Sequence, residues 1–233
     1  MNEEGLSELE KKAVLDGTKE LLKTAGVEDR IKVVDFGAWK HKEYQNSDGF
    51  LKEYYSVDWY LQEGRKASRN ETQLNAETIV RLLYVEPWRR GNNAQEHYDI
   101  LITRSDMYSG NAHFIIGIAD PASATVLSTY RFKGLKDKEK YECIKTETMH
   151  ELGHVFNLPK ERIKSDNWIL NGHCPNKCVM RQGLALPTDW INMTNDRLKY
   201  GPFCKPCETH LKEWFKEKPP IGEPVILQHT RRN

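Results

Sequence analysis

The sequence predicts an α+β fold, and three observations carry that prediction. Residues 6–25 place Leu6, Leu9, Val14, Leu21 and Leu22 near helical spacing, with Gly26 available to close the helix. Three apolar runs then stand close together: Tyr98 to Thr103, His113 to Ile118 and Thr125 to Phe132. They read as strands, separated by the turn signals Ser109-Gly110-Asn111 and Asp120-Pro121. After Gly134, residues from Asp137 to Phe156 return to helical spacing, with Tyr141, Ile144, Thr148, Leu152, Val155 and Phe156 on one face.

The remaining elements follow in order. Ile31 to Phe36 is a short β-branched run and a strand candidate. Tyr54 to Leu61 is a weaker one. Gly64 to Asn75 is polar and reads as a loop. Ala76 to Val85 reads as a helix that buries Ile79, Val80, Leu82 and Leu83, with Pro87 beyond its end. Residues 158–211 show little periodicity. His210 to Lys216 is a short terminal helix, and the tail from Pro219 reads as extended.

Composition narrows the function classes. The 233 residues fit one domain, or one domain with a small appendage, and suffice to bury a substantial core. The 35 basic and 34 acidic side chains leave a net charge of +1. That balance offers no electrostatic case for nucleic acid or an anionic membrane as partner. The acidic start Met1-Asn2-Glu3-Glu4 has no apolar secretion core, and no run approaches the ~20 apolar residues of a membrane helix. A cytoplasmic monomer is the expectation. Of five cysteines, four form two close pairs, Cys174 with Cys178 and Cys204 with Cys207, and the odd one is Cys143. That spacing argues for metal binding over a disulfide framework.

The chemistry concentrates on the helix of residues 137–156. His150-Glu151-Leu152-Gly153-His154 matches H-E-x-x-H. Histidines four apart project from one helix face, so both imidazoles can reach one zinc. Glu151 lies about 100° around the helix, where it can contact water on the metal and serve as general base. A catalytic zinc needs a third protein ligand and one open position, and His173 lies downstream. The two cysteine pairs can form a four-thiolate site that fixes a region short of its own core. Glu147, one turn before His150, could orient it or could be a solvated charge. Tyr108 and Tyr130 read as packing residues more readily than as oxyanion donors.

At these positions the sequence resembles the archaemetzincins, a subgroup of the metzincin zinc peptidases. The family pattern H-E-x-x-H-x-x-G-x-x-H-C, a second cysteine, x, Met and then C-x-x-C is matched at His150, Glu151, His154, His173, Cys174, Cys178, Met180, Cys204 and Cys207. The strands of residues 98–132 echo the family as well, so the resemblance covers roughly residues 98 to 210. It implies a mixed β-sheet with a backing helix, an active-site helix and a zinc-stapled C-terminal subdomain. The division would fall at residues 1–157 and 158–233. It implies two zinc ions. His150, His154 and His173 would hold the catalytic one, and Cys174, Cys178, Cys204 and Cys207 the structural one. Glu151 would be general base, Met180 a hydrophobic floor, and His113 to Ile118 the edge strand that pairs with a peptide or protein substrate.

The chain departs from the pattern in three places. Asn157 stands where the family has Gly, and Asn is the side chain that best tolerates the left-handed conformation. His173 follows His154 by nineteen positions instead of six, which makes thirteen residues extra. Lys160 occupies the usual ligand position, where an ammonium cannot ligate. If His173 is not the ligand, Glu161 and Asp166 come next. The stretch from Met180 to Cys204 is also long for the family. The expectation is a zinc metallopeptidase; the alternative is a zinc-stabilised binding module with a latent site.

Overall fold

The computed structural model describes residues 1–39, 44–45, 51–52, 55–85, 97–164 and 172–216. Helix α1 spans Glu8–Ala25. Ser7 caps it, its hydroxyl accepting from Glu10 N while Glu10 reaches back to Ser7 N. That reciprocal pair satisfies two otherwise orphaned helix-end donors. Two short antiparallel strands follow, β1 (Tyr44–Gln45) and β2 (Leu51–Lys52). Helix α2 spans Val57–Lys66, β3 Gln73–Asn75 and helix α3 Ala76–Tyr84.

The strands of the main sheet are β4 (Asp99–Thr103), β6 (Gly117–Asp120) and β7 (Ala124–Ser128). Their order is β4-β7-β6, with β4 parallel and β6 antiparallel to β7. The sheet is therefore mixed, and β6 forms one edge. Strand β5 (Asp106–Tyr108) pairs in parallel with β3. Helix α4 spans Asp137–Val155, and α5 (Thr188–Tyr200) and α6 (Lys205–Lys216) complete the described elements.

Helix α4 is the axis of the molecule. It packs on α1, α5 and the β6–β7 side of the sheet. Residues 146–153 are all buried, so the expected single apolar face is in fact burial all round. Polar positions on such a helix need internal partners. Thr146 and Thr148 find them in the carbonyls four residues back. Arg197 of α5, its side chain only 2% exposed, reaches Glu20 of α1 and Glu142 and Thr146 of α4, and so ties three helices together.

The structure corrects several expectations. Residues 57–61 begin helix α2 where a weak strand was expected. Ser56 caps this helix through Trp59 N, and Val57, Tyr60, Leu61 and Gly64 are buried at helical spacing, so side-chain burial outweighs the β propensity of the aromatics. Residues 31–36 form no strand, since no described strand runs beside them. The strand expected at 113–118 begins only at Gly117, because Ile115 is drawn to Met107 instead. Helix α5 was not anticipated at all. The tail from Pro219 lies outside the described residues.

Candidate active site

The site is assembled at the C-terminal end of α4 from three chain segments. His150 and His154 come from the helix, with ring centroids 4.7 Å apart. His173 arrives from the segment before Cys174, its ring 5.4 Å from that of His150 and 5.1 Å from that of His154. Among the described residues these three form one of two groups whose donor atoms all lie within 4.8 Å of one another. Glu161 is exposed and outside that group, and Asp166 lies outside the described residues. Lys160 points away and meets Glu213 of α6 at 3.4 Å.

The backbone fixes the tautomers. Nδ1 of His150 lies 2.6 Å from Val179 O, and Nδ1 of His154 lies 3.0 Å from Leu158 O. A carbonyl only accepts, so each Nδ1 must donate, which leaves a lone pair on each Nε2. Those two Nε2 atoms face each other at 3.2 Å. Two lone pairs facing at that distance suit a cation held between them. Tetrahedral nitrogens about 2.05 Å from a zinc would be ~3.3 Å apart. Burial holds both imidazoles neutral, pushing His150 down to about 3 and His154 well below the usual range. The donor set therefore fits zinc.

The turn after His154 follows from one residue. Asn157 has φ 60°, the left-handed conformation expected of it in place of glycine. That turn returns Leu158 N to Gly153 O and aims Leu158 O at His154.

Glu151 is 5% exposed, and its Oε2 has no hydrogen-bond partner among the described residues. Its side chain lies flat over Gly117 of β6. A Cβ built on Gly117 would meet Glu151 Cγ at 2.4 Å and Oε1 at 2.5 Å, so only glycine leaves room for the carboxylate. Burial, then Glu147, push its carboxyl well above the usual range. Gly117→Ala is accordingly expected to displace that carboxylate and to cost about 1–3 kcal/mol of stability from overpacking. Thermal melts of the variant check that number.

Glu147 is neither a His150 acceptor nor a solvated charge. It is 1% exposed, accepts a 2.6 Å bond from Trp190 Nε1 of α5, and pairs with Glu151. Burial pushes it up to about 7. By residue type alone a tryptophan such as Trp190 suggests packing, with nothing to tie it to Glu147. The signal available was the spacing Trp190, Met193, Thr194, Arg197, one face of a helix.

Met180 lies beneath the histidines. A Cβ on Gly153 would meet Met180 Sδ at 2.2 Å, so sulfur and helix are in direct contact between the positions of His150 and His154. Cys174 N donates to Met180 O at 2.8 Å, which links this floor to the second cluster.

That cluster holds Cys174, Cys178, Cys204 and Cys207. Sγ separations are 3.7 Å for Cys174–Cys204, 3.8 Å for Cys174–Cys207 and 4.0 Å for Cys178–Cys207. Tetrahedral thiolates about 2.3 Å from a zinc would stand ~3.8 Å apart. The thiols aimed at Cys174 hold it down to about 2, while the same crowding pushes Cys178 up to about 12 and Cys207 further. A dication resolves that competition, so these residues also fit zinc. His210 stays outside the cluster, against Glu213. Cys143 is a buried thiol beside Thr194, away from both groups. Tyr108 OH is committed elsewhere, accepting from Arg69 N and Asn75 Nδ2 and donating to Ala67 O, and the Tyr130 ring lies under Lys133.

An H-E-x-x-H helix, a third imidazole and a buried carboxylate together form a group that could hold a zinc ion. Over about half of its length the chain is similar to archaemetzincins. It is 34% identical over 116 residues to the archaemetzincin of Nanoarchaeum equitans, a match of 45% of this chain and 57% of that one. It is 34% identical over 121 residues to that of Pyrococcus furiosus, covering 48% and 52% respectively. The chain thus spans about half the length of the curated relatives it matches. No family model matches it. The crystal structure of the Methanopyrus kandleri archaemetzincin overlaps 69% of this chain and 86% of its own, at 22% identity and a TM-score of 0.46, a likeness too slight to carry an argument. No helix among the described residues is long and apolar enough to cross a membrane.

Proposed function

We propose that this chain is a zinc metallopeptidase, with His150, His154 and His173 holding the catalytic ion and Glu151 acting as general base and acid. The observation that carries the reading is the pair of Nε2 lone pairs facing each other at 3.2 Å with both Nδ1 atoms committed to carbonyls. When bound, zinc supplies Lewis acidity to water and to the scissile carbonyl. Glu151 takes the proton from the attacking water and delivers it to the leaving amine. Met180 supports the ligand helix from below. The edge of β6 beside Glu151 is where an extended peptide or protein substrate would add as a further strand. Cys174, Cys178, Cys204 and Cys207 hold a second, structural zinc. The alternative, a binding module with a latent site, has no use for a buried carboxylate set beside three imidazoles.

The direct test is zinc stoichiometry with a peptide-library screen. The wild-type chain is expected to carry two zinc ions and to cleave peptides, and His173→Ala to lose one ion and all turnover. Unchanged zinc in that variant would reject His173 as a ligand. A fully loaded wild-type chain that cleaves nothing would favour the binding module.

A further inference from the structure

The thirteen extra residues between His154 and His173 pose a geometric problem: a long excursion ought to leave the third imidazole poorly placed. Two neighbouring residues answer it. Arg162 folds back on the turn that follows His154. Its Nε donates to Pro159 O at 2.9 Å, and its Nη2 donates to Asn157 O at 3.3 Å and to Asn157 Oδ1 at 2.7 Å. A planar guanidinium meets these acceptors from two nitrogens of one rigid fork, where a lysine offers a single nitrogen on a flexible stem. The clamped turn is the one whose Leu158 carbonyl orients His154.

Ile163, the next residue, reaches the other side. Its N–H donates to His173 O at 2.8 Å, and its carbonyl accepts from Gly172 N at 3.1 Å. Gly172 sits at φ 88°. A glycine of positive φ bonded to a residue whose own N–H bonds one position further on is the base of a bulged hairpin. Such a base closes over two residues as readily as over the eight from 164 to 171.

We propose that Arg162 is a positioning residue for the three-histidine site, and that with the Ile163–Gly172 hairpin base it staples His173 to the turn after His154. The staple rests on the reading that these three histidines hold the metal. It makes the ligand geometry independent of residues 164–171.

Cobalt(II) titration of the metal-stripped full chain tests this, because thiolate charge-transfer bands report the cysteine site and ligand-field bands without thiolate character report the histidine site. Arg162→Met keeps the apolar stem and removes the fork. It is expected to weaken cobalt at the histidine site roughly tenfold, the low end for an outer-shell partner, with the cysteine site unchanged. Arg162→Lys should recover only part of that loss. Replacing residues 164–171 by Pro-Asp, which suits a type I turn before Gly172, is expected to keep histidine-site affinity within about threefold. Unchanged affinity in Arg162→Met, equal loss at both sites, or loss of the histidine site in the shortened chain would each overturn the staple. His173→Ala separates the two readings: if the wild-type ligand-field bands survive in that variant, the ligand assignment fails and the staple falls with it.

Discussion

Replacing Glu151 by Gln is expected to lower kcat by about 10²–10⁴ while zinc content stays unchanged. Gln keeps the shape that fits over Gly117 but cannot accept the water's proton. Metal analysis beside single-turnover peptide hydrolysis separates this outcome from metal loss, and near-normal turnover would remove Glu151 from the mechanism. The same variant carries a pH signature in the metal-free chain. Burial raises the folded-state carboxyls of Glu147, to about 7, and of Glu151, well above their ordinary values. Between the unfolded carboxyl range near 4.5 and those raised values the folded chain binds more protons than the unfolded one, so stability falls as pH rises. That stability is fully present below the unfolded value and is lost on passing through the folded one. Glu151→Gln removes one of the two crowded charges. Its melting temperature should exceed that of wild type at pH 8, and the difference should shrink toward pH 4. An equal gap at both pH values would show that the two carboxyls do not share a proton.

The second large effect is expected at the cysteine cluster. Cys207→Ser should cost more than about 4 kcal/mol, or on the order of 10 °C in Tm for a chain of this size. It should also weaken metal binding at the histidines. Cys174, Cys178 and Cys207 are themselves part of a core with Val179, Phe203, Leu211 and Phe215, so a bound ion and the apolar packing would hold one unit. That unit supplies Val179 O to His150, and Cys174 follows His173 directly along the chain. Loosening the cysteines therefore loosens a ligand and the carbonyl that orients another. Calorimetry with metal titration of the variant checks this coupling. A histidine site that binds as tightly as wild type in a chain of unchanged Tm would separate the two centres.

Much of this was legible along the chain because its signal is local. H-E-x-x-H needs only the helical repeat to bring two imidazoles together, and the close cysteine pairs need only a knuckle. The resemblance implies a left-handed turn at Asn157, a residue type that tolerates it, and φ 60° is what the structure has there. Strands β4 and β7 and helices α1, α3 and α4 were readable from apolar spacing, because each places a repeated pattern against the core.

The rest depends on contacts between residues far apart in sequence. Residues 57–61 carry a strand-like composition, yet packing against the core makes them helix α2. The strand expected at 113–118 shifts to 117–120 because Met107 claims Ile115. Glu147 reads as an ordinary helix-surface charge until Trp190, 43 positions away, closes over it. The sequence by itself determined which side chains could bind metal and which carboxylate could move a proton, since those are properties of residue type and short spacing. Only the tertiary structure decided that His173 crosses a thirteen-residue insertion to join them. That depends on a hairpin base and an arginine clamp whose partners no local pattern encodes, and on the burial that makes backbone carbonyls set each imidazole's tautomer.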